Sequence, residues 1–211
     1  MIVAIFLLIL GLLALYGGSF IRKYRVLLYV AITSLSVLSF IFLDLPISTP
    51  IIQGFLGLSF FYLVMVTGAL KQKSNLRNKL MGVRREYSIL GFIAITPHAL
   101  KYTLEWINGE RTFVIFGSLA FLLMIPLFVT SFVSIRKKMK AKTWNQIQSV
   151  AYVIYLLLFI HLILNYTKII NLVLYLIIFS FYIVMKLVYE IKKYRLKQSK
   201  IVKTKTEVAK V

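Results

Sequence analysis

Apolar segments of membrane-spanning length follow one another along almost the whole chain. About 20 apolar residues in a helix cross the hydrocarbon core of a bilayer, which is about 30 Å thick. The mean hydropathy of +0.87 is far above that of a soluble globular domain. We therefore predict an all-α integral membrane protein, a multi-pass bundle of about seven transmembrane helices in the cell membrane. The predicted spans lie at roughly residues 1–21, 26–43, 51–70, 87–107, 113–135, 145–167 and 169–191.

Positive charges are concentrated in alternate connections between these segments. Basic residues follow the first, third, fifth and seventh segments, beginning at Arg22, Lys71, Arg136 and Lys192. The other connections contain Asp44-Leu-Pro46, Asn108-Gly-Glu110-Arg111 and Thr167-Lys168. Lys and Arg accumulate on the cytoplasmic side of membrane proteins. We therefore predict the N-terminus outside and the C-terminus in the cytoplasm, as an odd number of spans also requires.

The chain is strongly basic, with 26 Lys and Arg against 6 Asp and Glu. Membrane topology and anionic lipids account for this charge, so we expect membrane lipids and no nucleic acid as partners. The polar tail at 192–211 is predicted to be disordered near the lipid surface, or alternatively to dock an acidic cytoplasmic partner. Residues 1–21 lack a positive residue before their apolar run, which favours a retained span over a cleaved signal peptide. The absence of cysteine excludes disulfides and thiolate metal sites.

Both histidines of the chain, His98 and His161, lie inside predicted spans. Counted from the expected helix starts, they lie about 16 Å and about 24 Å along outward-running helices. Neutral imidazole is a good ligand for haem iron, and two imidazoles from neighbouring spans can hold one macrocycle. Hydrogen bonding between helices and proton relay are the alternatives that these residues alone leave open. Gly91 and Ala94, on the face of His98, offer space for a porphyrin edge or for close helix packing.

Two motifs around these histidines resemble a known family. Arg84-Arg85 is followed thirteen residues later by His98, with Tyr102 four residues beyond. Trp144-Asn-Gln-Ile-Gln148-Ser-Val-Ala-Tyr152 is followed by His161, thirteen residues after Gln148. Over residues 84–166, this arrangement is similar to the ferric reductase-like transmembrane family, and within it to the YedZ/MsrQ branch of haem-binding membrane subunits. The resemblance implies a six-helix core, here preceded by an N-terminal helix, and His98 and His161 as axial ligands of a haem b.

The chain departs from the family where two-haem members carry their inner ligands. Gln148 stands in place of one histidine, and Arg84 stands fourteen residues before His98, at the position of the other. A glutamine amide is a poor haem ligand, and arginine stays protonated. We therefore expect one haem. Residues thirteen apart lie on different faces of a straight helix, and the family solves this with a helix irregularity.

Other polar residues near the histidines each carry two interpretations. Pro97 removes a backbone hydrogen bond, which either aims His98 or is an ordinary feature of a membrane helix. Lys101 either neutralises a haem propionate or extends to the membrane interface. Tyr102 and Tyr166 fit an interfacial aromatic belt, and Tyr102 also belongs to the first motif. Arg84 and Arg85 either bind a donor such as a quinone or FMN, or anchor the helix at the cytoplasmic surface.

The resemblance implies an electron-transfer subunit that passes electrons across the membrane to an extracytoplasmic acceptor, such as ferric iron or a partner reductase. No G-x-G-x-x-G motif follows a strand in this sequence, so we expect a separate donor, either a flavin reductase or a quinol. The alternative is a haem-free membrane scaffold, assembly factor or transport component. That alternative predicts that both histidines can be replaced without loss of function.

Overall fold

The chain is entirely helical in the part that the structure describes. A computed structural model describes residues 2–43, 45–165 and 169–208, so Asp44, Tyr166 and the connection predicted at Thr167-Lys168 lie outside the described residues. These ranges contain eleven helices and no strand, which confirms the all-α prediction. The helices are α1 (Ile2–Tyr16), α2 (Gly18–Lys23), α3 (Arg25–Ile41), α4 (Thr49–Ile52), α5 (Phe55–Thr67), α6 (Asn75–Ile107), α7 (Ile115–Ser131), α8 (Val133–Lys137), α9 (Ala141–Ser149), α10 (Ala151–Asn165) and α11 (Ile169–Val208).

Two helical segments of the described residues are long and apolar enough to cross a bilayer. They are Ala141–Asn165 and Leu172–Leu196, each of 25 residues. Four further apolar helices, α1, α3, α5 and α7, contain 13 to 17 residues. Large apolar side chains are exposed along the outside of the bundle, among them Leu8, Val26 and Leu187, and a lipid environment accommodates such a surface. The count of seven spans and their orientation stay predictions.

Helix α6 is at the centre of the bundle and packs against α1, α3, α5 and α7. Its closest contact is with α5, where two glycines remove the side chains that would separate the helices. A Cβ atom on Gly57 would lie 2.9 Å from Ile95 Cβ and 3.1 Å from Ile95 N, and one on Gly91 would lie 2.9 Å from Phe60 Cβ. Small residues at such crossings let backbones approach closely. This contact sets the position of the C-terminal half of α6.

Two helices extend further than the sequence predicts. Helix α6 begins at Asn75, where the Ser74 hydroxyl caps it by accepting from Arg77 N at 3.3 Å. Arg84 and Arg85 therefore lie inside a helix of 33 residues, not in a connection before it. Helix α11 continues past residue 191 to Val208, through the tail expected to be disordered. Lys, Arg, Glu and Gln are good helix formers. The apolar span therefore ends where the charged residues begin, but the helix continues through them.

Gly57→Ala is expected to lower the free energy of unfolding by about 1–3 kcal/mol, because the added methyl group meets the backbone of α6. The matched control is Gly11→Ala in α1, where a Cβ meets nothing within 4 Å. That change should be neutral or stabilising by up to about 1 kcal/mol, since alanine is the better helix former. Thermal unfolding in detergent measures the stability of both variants. Equal changes in stability for Gly57→Ala and Gly11→Ala would contradict the close approach of α5 and α6.

Candidate functional site

The structure brings His98 of α6 and His161 of α10 together. The centres of their rings are 6.3 Å apart, and the ring planes are nearly perpendicular, at 84°. Two imidazoles bound to opposite sides of one metal ion, with metal–nitrogen bonds of about 2 Å, have ring centres roughly 6–6.5 Å apart. The spacing therefore fits a shared metal.

The connection between α4 and α5 fixes the orientation of His98. Its Nδ1 lies 2.9 Å from the carbonyl oxygen of Ile52, and because a carbonyl can only accept, Nδ1 carries the proton. Nε2 then keeps its lone pair, which is the form of imidazole that binds metals. Gly54, with φ of +75°, passes against the ring, and a Cβ there would lie 3.3 Å from Cγ and Nδ1 of His98. Tyr102, one turn along α6, packs edge-on with its ring centre 4.7 Å from that of His98.

His161 lies against bare backbone of α7. A Cβ on Gly117 would lie 2.8 Å from Cε1 of His161 and 2.9 Å from its Nδ1, so any other residue at 117 would displace the ring. Asn165, one turn further along α10, donates its amide to the His161 carbonyl at 2.8 Å and lies 3.3 Å from Nδ1. Gly117 is a site residue that the sequence analysis missed, because nothing in the sequence shows that α7 approaches α10 at this point.

Both histidines line one cavity of about 440 Å³, which we call the histidine cavity. This volume lies within the range of about 300–1,000 Å³ that is usual for cofactor and small-molecule sites. Its polar lining residues besides the histidines include Gln53, Tyr102, Arg111, Ser118 and Asn165. The rest of its wall is mostly apolar, and includes Phe55, Leu58, Phe61, Ile95, Phe121 and Leu158. A mostly apolar wall with a few polar groups is typical of cofactor and small-molecule sites.

A second cavity, of about 290 Å³, lies next to the N-terminal half of α6 and is lined by three arginines. We call it the arginine cavity; its basic residues are Arg84, Arg85 and Arg136. Gln148 also lines it and donates its amide to Thr130 Oγ1 at 3.1 Å. The helix is interrupted at Val150, between α9 and α10. The interruption lies between Gln148 and His161, and these two residues line different cavities.

A thin layer of side chains separates the two cavities. Phe61 and Met124 line both of them. Beside these, the ring of Phe92 is stacked between two others: its centre is 5.3 Å from that of Phe121, at 7°, and 4.3 Å from that of Phe128, at 20°. Phe121 lines the histidine cavity, whereas Phe92 and Phe128 line the arginine cavity. We call these five residues the partition.

The family model of the ferric reductase like transmembrane component matches residues 31–159. The chain belongs to this family. The matched range contains His98, Arg84 and Gln148 and ends two residues before His161. The resemblance to the ferric reductase-like transmembrane family is thereby confirmed, and the chain is a ferric reductase-like membrane protein.

Curated relatives of this ferric reductase-like chain are much longer than the matched region. An uncharacterized protein of Treponema pallidum is 31% identical over 124 residues, which cover 54% of this chain and 34% of that protein. The magnetosome protein MamZ of Magnetospirillum gryphiswaldense is 37% identical over 91 residues, covering 38% of this chain and 14% of MamZ. MamZ of Paramagnetospirillum magneticum is 35% identical over 91 residues, with the same coverage. No solved structure matches the chain.

Two residues that the sequence analysis assigned to the cofactor lie elsewhere in this ferric reductase-like fold. Gly91 packs against Phe60 and Phe61 of α5, and Ala94 is fully buried in the core that α5 and α6 share. Neither residue lines the histidine cavity. Of the two interpretations given for them, the structure supports close helix packing.

The basic side chain at the rim of the histidine cavity is Arg111, which the sequence analysis left without a role. Arg111 lines the cavity, its guanidinium carbon is 4.3 Å from the centre of the Tyr102 ring, and its Nη1 lies 3.7 Å from the Glu105 carboxylate. Lys101 does not line the cavity, and its Nζ lies 3.3 Å from the Glu105 carboxylate. The sequence analysis assigned Lys101 to a haem propionate because it lies one turn from His98 in sequence. In the structure, the short connection before α7 folds Arg111 back over the cavity.

We expect the neutral His98 ring in metal-free protein to carry its proton on Nδ1, because Ile52 offers only a carbonyl acceptor. Nitrogen-15 spectra of histidine-labelled protein distinguish the two tautomers. A His161→Gln variant leaves a single histidine and so assigns the His98 signals. A proton on Nε2 of His98 would contradict the contact with Ile52.

Proposed function

We propose that this ferric reductase-like chain is a membrane electron-transfer component whose histidine cavity holds one haem b. The observation that carries the proposal is the facing pair of His98 and His161, with ring centres 6.3 Å apart in a mostly apolar cavity. The Nδ1 contact of His98 with Ile52 leaves Nε2 for the metal. Gly117 provides the space in which the His161 ring lies. Within residues 2–43, 45–165 and 169–208, no three His, Cys, Asp or Glu side chains lie close enough together to hold a metal ion. The proposed metal ligands are therefore the two histidines.

The chain's own residues would bind and orient the haem and exclude water. His98 and His161 would hold the haem iron, and the apolar walls from α5, α7 and α10 would enclose the macrocycle. Arg111 at the rim is placed to pair with the carboxylates of a haem. When bound, haem supplies a one-electron iron couple whose potential depends on its ligands and burial.

The arginine cavity supports a single haem rather than two. Arg84 and Gln148 occupy the positions of the inner ligands in two-haem relatives, and both line this cavity. A guanidinium stays protonated and offers no lone pair. The Gln148 amide nitrogen is engaged with Thr130. Neither side chain is suited to bind iron.

We infer that electrons reach the haem from the end of the bundle where the arginine cavity lies. The basic residues there mark the cytoplasmic side under the positive-inside rule, and the donor would be a separate flavin reductase, a quinol, or FMN held near Arg84 and Arg85. The acceptor would then lie at the other, extracytoplasmic end, near Tyr102 and Arg111. Ferric iron and a partner reductase are the acceptor classes that the family resemblance implies.

The purified protein should show a low-spin b-type spectrum after reduction with dithionite, and His98→Ala and His161→Ala should each abolish it. Ser118→Ala, which changes the lining of the same cavity without touching a ligand, should keep the spectrum. Size-exclusion profiles of the variants establish that the bundle remains folded. A colourless wild type from haem-replete cells would overturn the proposal and favour a haem-free membrane scaffold.

Arg111→Gln should weaken haem binding by about two- to tenfold, as expected for the loss of one partly exposed charge-assisted contact. Lys101→Gln should change haem affinity by less than about twofold, since Lys101, unlike Arg111, does not line the cavity. Titration of haem into apoprotein compares the two variants directly. A larger effect from Lys101 would restore it as the propionate partner and remove Arg111 from the site.

A further inference from the structure

We propose that Ser36 of α3 is a positioning residue for His98. Its hydroxyl donates at 3.3 Å to the carbonyl of Ile93, the carbonyl that Pro97 leaves without a partner in α6. This contact fixes the segment of α6 that carries the histidine. The inference deepens the proposed function and rests on it to the extent that His98 is a haem ligand, but it is tested on metal-free protein.

Pro97 interrupts the hydrogen-bond ladder of α6 one residue before His98. In a helix, the N–H of each residue donates to the carbonyl four residues earlier, and proline has no N–H. The carbonyl of Ile93 therefore lacks the intrahelical partner that any other residue at 97 would give it. The proline ring also crowds this carbonyl, so the turn that precedes His98 is held less firmly by its own helix.

Ser36 supplies the missing donor from a different helix. It is 5% exposed, and its contact with Ile93 places it on the face of α3 that packs against α6. An unpaired backbone carbonyl is costly in a lipid environment, and Ser or Thr side chains can satisfy the carbonyls that a proline frees. The hydroxyl of Thr96, the residue before the proline, donates instead to Phe92 O at 2.8 Å. Ser36 therefore takes the place of the missing backbone donor.

The segment of α6 around Ile93 is thus held on two sides. On one side, the α5 backbone at Gly57 lies against Ile95. On the other side, Ser36 is bonded to Ile93. A helix with an interrupted ladder bends at the interruption, and contacts from neighbouring helices then fix its direction. The direction in which α6 continues toward His98 therefore depends on α3 as well as on α5.

The contacts of His98 lie on other elements, so they respond to any shift of α6. Its Nδ1 is 2.9 Å from the carbonyl oxygen of Ile52 in α4, and its ring centre is 6.3 Å from that of His161 in α10. Hydrogen bonds weaken steeply as their geometry departs from the optimum. Loss of the Ser36 contact should therefore loosen the bond between His98 and Ile52, although Ser36 does not line the histidine cavity.

Ser39 provides a matched control on the same helix. It lies one turn after Ser36 and is 1% exposed, and among the described residues its hydroxyl has no hydrogen-bond partner. Ser39→Ala therefore removes a buried hydroxyl from α3 without removing a contact. It should leave stability unchanged or raise it, since an unpaired buried hydroxyl is unfavourable.

The first measurement is a double-mutant cycle on thermal unfolding of the full chain in detergent. Ser36→Ala should lower the midpoint by about 2–4 °C, the shift that the loss of one hydrogen bond gives in a chain of this size. In a Pro97→Ala background, the same change should lower the midpoint by less than about half as much, because alanine restores the N–H that can bond to Ile93.

The second measurement reports the orientation of His98 itself. Nitrogen-15 spectra of metal-free, histidine-labelled protein in the His161→Gln background show which ring nitrogen carries the proton. Ser36→Ala should raise the share of the tautomer protonated on Nε2 by about two- to tenfold, as expected when one neutral hydrogen bond to Nδ1 is weakened. Ser39→Ala should leave the spectrum unchanged. If Ser36→Ala does not fold, Ser36→Cys retains a weaker donor and should change the spectrum in the same direction.

Three results would overturn the inference. One is an unchanged His98 spectrum in the Ser36 variants, which would leave Ser36 as a stabilising contact only. Another is a full-sized effect of Ser36→Ala in the Pro97→Ala background, since the hydroxyl would then not act on the carbonyl that the proline frees. The third is an equal effect from Ser39→Ala. A protein that binds no haem would refute the proposed function alone, because neither measurement involves haem.

Discussion

The close approach of α5 and α6 is the contact on which the rest of the structure depends. With no side chain at Gly57, the backbone of α5 lies against Ile95, one turn before His98. The same approach brings the connection that precedes α5 alongside the His98 ring. The Ile52 carbonyl can then orient that ring, and Gly54 can pass beside it. The orientation of the His98 ring therefore follows from a helix-packing contact rather than from its own helix.

In the second half of the bundle, a glycine likewise makes room for the other histidine, His161. Gly117 removes the side chain of α7 at the point where the imidazole of α10 lies against it. Each histidine is thus positioned by a glycine outside its own helix, His98 by Gly54 in the connection before α5 and His161 by Gly117 in α7.

The sequence was informative where the signal is local and periodic. Apolar periodicity predicted an all-helical chain, and the family resemblance carried by the two motifs implied that His98 and His161 belong to one site. The helix limits were wrong around Arg84 because a change from apolar to charged residues was taken as a helix end, although basic residues are good helix formers. Gly117 and Arg111 were missed for a different reason, since both act across a helix–helix contact or a folded connection that no sequence pattern records. Gly91 was assigned to the cofactor because one helix face was considered without its neighbour, Phe60.

The partition places an apolar barrier to ions between the two cavities, and such barriers preserve the ion gradients across a membrane. The two cavities follow one another along α6, and a continuous column of water through them would let ions and protons cross the bundle. Stacked phenyl rings of Phe121, Phe92 and Phe128, together with Phe61 and Met124, place apolar atoms at this point. Such a layer resists hydrated ions, whereas an electron can tunnel through packed side chains. When one elementary charge crosses the membrane without a counter-ion, its free energy changes by about 2.3 kcal/mol for each 100 mV of membrane potential. The electron flow that we propose for this bundle would thereby be coupled to the voltage across the membrane.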